Sequence, residues 1–228
     1  MHYEFKVGID RDTLSLPNFE PEEIDVFLNN AIEKFVSQRA FGNNPKKESY
    51  EETQKRLDDL RELTKNVTVT AFNNDVNNKP YGVFVELPSE YRHAINEECL
   101  VQYSDCNNNM INKRVSVISI KHDRYNKIIN DPFNKPYNKE IARLAYGDNL
   151  FELIGDVNTT IVTYYLRYIK TPITVKYGSV YQIPEPDIDC DLAQHTHKEI
   201  IKMAIVESLG NIESQKVVIA KTELNEIE

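Results

Sequence analysis

Ile161-Val162-Thr163-Tyr164-Tyr165-Leu166-Arg167-Tyr168-Ile169 is dominated by β-branched and aromatic side chains, the types that fit a pleated, half-buried surface. The run predicts a strand over residues 160–168. Its even positions Tyr164, Leu166 and Tyr168 then share one face, because strand side chains alternate with period two. Working outward, residues 141–146, 149–154 and 173–177 read as strands on the same grounds. So do 98–103 and 114–121, joined by a polar hairpin loop over 104–112. Strands over 67–72 and 81–87 read as a long-loop hairpin across the turn-rich 73–80. Pro88 opens a short helix through Tyr91 and Ile95, and 123–130 forms another. Asp131-Pro132-Phe133-Asn134-Lys135-Pro136 is a connector whose prolines fix φ.

The flanks have a different period. From Pro21, a favoured first helical position, Ile24, Phe27, Leu28, Ala31, Ile32, Phe35 and Val36 recur at three- and four-residue spacing. An amphipathic helix to about Phe41 follows, closed by Gly42-Asn43-Asn44-Pro45. A mostly polar second helix over 46–64 completes an antiparallel hairpin. Residues 1–20 show no period and read as an extended arm. A long helix starts near Leu192 with the stripe Ile200, Ile201, Ala204, Ile205 and Leu209 and continues toward Leu224. The fold class is α+β: N-terminal helical hairpin, β-rich middle, long C-terminal helix. The segments are 1–66, 67–180 and 181–228, in one compact subunit.

The 228 residues carry 27 basic and 36 acidic side chains, a formal charge of −9, which is a poor match to phosphate binding. No apolar run approaches the ~20 residues that span a bilayer, and the N-terminus lacks a signal-peptide pattern. Cys99, Cys106 and Cys190 are odd in number and scattered, which argues against a disulfide framework and for a reducing compartment. Only seven glycines occur, unclustered, with neither a P-loop nor a G-x-G-x-x-G motif. Asparagine doublets stand where turns need residues tolerant of left-handed backbone.

Chemistry-bearing residues form no recognised constellation. Asp187, Asp189 and Asp191 resemble the start of a calcium loop, but Leu192 and Lys198 occupy the positions that need Gly and Glu. Cys190, His195 and His197 lack structural-zinc spacing. The alternative is an acidic helix N-terminus favoured by the dipole. Cys99 and Cys106 have no local nucleophile signature, and His93 and His122 are isolated. Glu97-Glu98 and Asp58-Asp59 are adjacent and face apart, as on a solvated surface. Tyr164, Tyr165 and Tyr168 suit core or interface anchors better than base stacking. The sequence therefore predicts no catalytic residue, no metal and no cofactor.

Charge is segregated. Residues 1–66 and 181–228 are acidic, whereas 111–143 hold eight basic and three acidic side chains, net +5. Acidic ends beside a basic middle suit head-to-tail contacts between copies, which close into rings. Candidate interface residues are Lys121, Arg124 and Lys127 in the basic middle and Ile212, Val218, Ile219 and Leu224 at the far end of the C-terminal stripe.

Several segments in order carry a resemblance: Leu28-Asn29-Asn30-Ala31, Leu57-Asp58-Asp59-Leu60, Leu87-Pro88-Ser89-Glu90-Tyr91-Arg92, the 131–136 connector, Tyr165-Leu166-Arg167-Tyr168-Ile169-Lys170-Thr171-Pro172, and Cys190-Asp191-Leu192 leading to His197-Lys198-Glu199-Ile200-Ile201. Together the chain resembles the head-to-tail connector proteins of crAss-like tailed bacteriophages. The resemblance implies a structural virion protein at the head–tail junction, present in the host cytoplasm during assembly. It implies a ring of twelve copies between portal and tail, lining the channel through which DNA passes unbound. Its partners would be itself, the portal protein and the next tail or ring protein, with no membrane. Two other readings compete: a metal-assisted enzyme built on 187–197, and a monomeric α+β binding module.

Overall fold

The protein is seen in a computed structural model that describes residues 1–12, 19–41, 54–72, 79–104, 109–133, 135–136, 140–147, 149–178 and 186–211. It divides into two compact units, Thr64–Thr171 and Met1–Leu63 with Pro172–Glu228.

The first unit is built around the 161–169 run. That run lies in β7 (Thr159–Lys170), and Tyr164, Leu166 and Tyr168 all point into one core. The other strands are β1 (Thr64–Thr70), β2 (Gly82–Glu86), β3 (Tyr91–Ser104), β4 (Met110–Ser119), β5 (Glu140–Tyr146) and β6 (Leu150–Ile154). Their order is β1-β7-β3-β4-β5-β6-β2. All neighbours run antiparallel except β4 and β5. The sheet curls until its edges meet: Phe72 and Phe84 exchange backbone hydrogen bonds of 2.9 and 2.7 Å. Curling satisfies edge groups that would otherwise invite foreign strands. It also encloses a core to which β2 through β7 all contribute, from Val85 and Val101 to Phe151 and Leu166.

Several sequence expectations change here. The expected hairpin of 67–72 with 81–87 does not pair as one, because β1 pairs with β7 and β2 with β6. The expected helix from Pro88 to Ile95 is instead the first half of β3. Register shifts against β7 fall between Tyr91 and His93 and between Ala94 and Asn96. Such bulges interrupt the alternation by which a strand is recognised. Residues 173–177 form no strand in the sheet; Lys176 makes an isolated bridge to Ile188.

The second unit is helical. Helix α2 (Pro21–Ala40) opens with the Glu20 N–H donating to the Glu23 carboxylate at 3.0 Å, one arm of a capping box. Its buried stripe, Ile24, Leu28, Ala31, Ile32, Phe35 and Val36, packs against α5 (His197–Asn211). The extended arm expected at the N-terminus is corrected: His2–Asp12 is a helix, α1. Phe5 and Ile9, four residues apart, are its buried anchors. Gly8 lets it approach α5 closely, since a Cβ there would lie 2.5 Å from Ile205 Cδ1. The expected second helix is, where described, α3 (Gln54–Asp59) and a 3-10 turn, Arg61–Leu63; residues 46–53 lie outside the described residues.

An asparagine in the middle of α2 does unexpected work. The Asn29 side chain donates to the Val175 carbonyl at 2.9 Å and accepts from the Val175 N–H at 2.8 Å. It thereby gives an extended segment the partner that a strand would. Asp25 continues this, accepting from the Tyr177 N–H at 3.1 Å.

Candidate functional site

The parallel pairing of β4 and β5 requires a crossover, and the crossover builds a groove on the surface of the sheet unit. After β4, residues His122–Arg124 form a 3-10 turn leading into α4 (Tyr125–Ile129). Tyr125 is buried and packs with Ala142, Leu144 and Ile154 on the outer face of the sheet. The His122 ring nitrogen lies 2.6 Å from the Ala145 carbonyl. The Asp131 carboxylate then accepts the Phe133 N–H at 2.9 Å, and the Lys135 N–H donates to the Asp131 carbonyl at 3.0 Å. This turn presents Phe133 to solvent, 93% exposed.

Between α4, this turn and the sheet lies a groove of about 480 Å³. Ile118, Ile120, Ile128 and Phe133 contribute its apolar surface, and Arg124, Lys127 and Lys135 its cations. Among the described residues none of these three cations makes an ion pair. The structure thus brings together two of the expected interface residues, Arg124 and Lys127. Lys121 is exposed but does not line the groove. Ile212, Val218, Ile219 and Leu224 lie outside the described residues. The sequence reading missed Phe133 and the isoleucines, whose only signal was apolar side chains spread over separate elements.

The acidic and histidine segment does not converge. Asp187 accepts the Gly178 N–H at 2.6 Å, and Asp191 accepts the Ile173 N–H at 3.2 Å. His195 lies 3.0 Å from the Asp59 carboxylate, and the His197 ring nitrogen 3.0 Å from the Leu192 carbonyl. The carboxylates serve backbone donors of their own unit.

Arg39 and Arg143 each centre a charged cluster, and a third arginine, the buried Arg56, donates to the Gln38 carbonyl at 2.9 Å. In the helical unit Arg39 Nε reaches Asp59 at 2.8 Å and Nη2 reaches Glu199 at 2.5 Å. Its guanidinium stands 4.7 Å from the Phe35 ring centre. In the sheet unit Arg143 lies 3.2 Å from Glu97 and 4.1 Å from the Phe151 ring centre. The Tyr164 hydroxyl donates to the same Glu97 oxygen at 2.7 Å. The two adjacent acid pairs do face apart, as expected. The expectation that both members are solvated fails, because Asp59 and Glu97 turn inward, each to an arginine.

Burial sets the proton affinities of this cluster. It pushes the Glu97 carboxyl above its ordinary value, against the pull of Arg143 and the Tyr164 hydrogen bond. It also raises Tyr164 and Cys99, and the negative charge of Glu97 adds to both. Cys99 is therefore held as a thiol and Tyr164 as a phenol, the forms of low nucleophilicity. Cys190 is likewise raised by burial, and Cys106 lies outside the described residues. Glu97 on β3, Arg143 on β5 and Tyr164 on β7 are thereby drawn together by one hydrogen bond and one ion pair, an arrangement that ties strands together.

A family model described as "Phage tail ring protein 3/4" matches residues 3–219 of the chain. No curated protein matches it.

Proposed function

Because the chain belongs to the crAss-like phage tail ring protein 3/4 family, a structural component of the virion tail whose members associate into rings, we propose that it forms the ring between portal and tail. The ring joins head to tail and lines the channel through which the genome leaves. It holds twelve copies, contacts the portal on one side and the next tail or ring protein on the other, and assembles in the host cytoplasm. The protein carries no catalysis and no cofactor in this reading.

The observation that carries the proposal is the family match over nearly the whole chain. Segregated charge supports it: an acidic C-terminal segment, 181–228, and a basic 111–143 region on one chain suit a heterologous contact, which closes when its rotation divides a full turn. An acidic chain also suits a channel that must release DNA, since a cationic wall would hold the phosphate backbone. Interface residues in this proposal are Lys121, Arg124 and Lys127 on one side and Ile212, Val218, Ile219 and Leu224 on the other.

Class averages by electron cryomicroscopy of the purified chain mixed with its portal test this reading. A ring of density seated on the portal is expected. Portal particles with no added density would reject it.

A further inference from the structure

We propose that the groove beside α4 receives the C-terminal segment 212–228 of a second copy of this chain. The inference rests on the ring reading above and supplies its contact. Two features of the groove constrain its occupant. Its apolar surface includes Phe133, 93% exposed, and Ile118, 45% exposed. Apolar area gathered in a concave site commonly marks an interaction surface. Its cations, Arg124, Lys127 and Lys135, make no ion pair among the described residues and outnumber its two carboxylates, Asp131, engaged by the Phe133 N–H, and the exposed Glu140. The occupant is therefore apolar with acidic flanks.

The chain carries one such stretch beyond the described residues. Glu223-Leu224-Asn225-Glu226-Ile227-Glu228 holds three glutamates, no lysine or arginine, and two aliphatic side chains three residues apart. Upstream, Val217-Val218-Ile219 extends the apolar character between Lys216 and Lys221, so the acidic charge is concentrated in the last six residues. Glutamates meeting Arg124, Lys127 and Lys135 give the electrostatic complementarity that sets orientation and excludes wrong partners. Leu224 and Ile227 then cover the isoleucines and Phe133.

The linker arithmetic permits a neighbour. Residues 212–228 follow the last described residue of α5, and at ~3.4 Å per residue an extended chain of this length reaches at most ~58 Å. A compact chain of this size has a radius of gyration of ~17 Å, so that reach extends past the bulk of its own subunit. A segment of one copy entering a different surface of its neighbour is a heterologous contact, the kind a ring needs.

Charge reversal in full-length chains tests this without touching either core. One variant carries Arg124→Glu with Lys127→Glu, the other Glu223→Lys with Glu226→Lys, and self-association is followed by analytical ultracentrifugation. Each variant alone should associate at least tenfold more weakly than the natural chain, and the two mixed should recover a one-to-one complex. Either variant assembling like the natural chain, or a mixture that recovers nothing, overturns the proposal. A photoreactive residue at position 224, in a mixture of isotopically light and heavy chains, identifies the donor. Cross-links to the groove between copies are expected, and cross-links confined to single copies overturn it. If both reversal variants still form rings on the portal, the groove assignment fails while the ring reading stands. A natural chain that forms no ring removes both.

Discussion

The two units solve the same problem with opposite means. Each buries an arginine, yet the helical unit gives Arg39 two carboxylates from different helices, while the sheet unit gives Arg143 one carboxylate, shared with a tyrosine hydroxyl, and an aromatic face. Arg39 is 1% exposed and Arg143 12% by side chain. A fully desolvated cation needs its charge compensated in place, because buried unpaired charge is costly. A cation near the rim keeps part of its hydration and needs less. Arg39 therefore acts as a clamp joining α2, α3 and α5, three helices with no backbone ladder between them. Arg143 adds to strands already held by backbone pairing.

The largest expected effect follows from that difference. Arg39→Met should destabilise the protein by about 3–5 kcal/mol, because it removes the buried cation between Asp59 and Glu199 and leaves them only the more exposed His195 and Lys55. Chemical denaturation measures it. Replacing all three with apolar residues of similar volume should recover most of the loss; failure to recover would mean that the clamp also directs packing.

A smaller effect is expected in the sheet. Tyr164→Phe removes one hydrogen bond to a charged acceptor and leaves Arg143 paired, so a loss of about 1.5–3 kcal/mol is expected by the same measurement. A loss equal to that of Arg39→Met would erase the distinction between the two interiors.

The smallest concerns protons. The folded pKa of Glu97 lies above its ordinary value, so the native state holds this proton more tightly than the unfolded chain. Its contribution is complete below the unfolded carboxylate pKa and is lost as pH rises through the folded value. Urea unfolding across pH 4 to 7, roughly the window above an unperturbed glutamate, should show this decline. Glu97→Gln should remove that part of the slope, whatever its effect on absolute stability.

What the sequence could reveal divides along a physical line. The 160–168 run was legible because β7 is paired on both sides, β-branched and regular where Tyr164, Leu166 and Tyr168 line the core. Helix α2 was legible because its stripe is wide and uninterrupted. Helix α1 was not, because among its described residues Phe5 and Ile9 alone are buried apolar anchors and Gly8 sits between them for contact with Ile205. The start of β3 was hidden by its bulges. Of the candidate surface, Arg124 and Lys127 could be read as members of a basic region. The groove could not, since Ile118, Ile120, Ile128 and Phe133 meet only once β4 and β5 pair in parallel.

The central claim is that copies of this chain close into a ring. Native mass spectrometry of the assembled protein tests it most directly. The account predicts one dominant species whose mass is a fixed multiple of the chain, twelve in the proposed ring. A monomer at every concentration, with and without portal, or an open ladder of sizes without a preferred number, would contradict it.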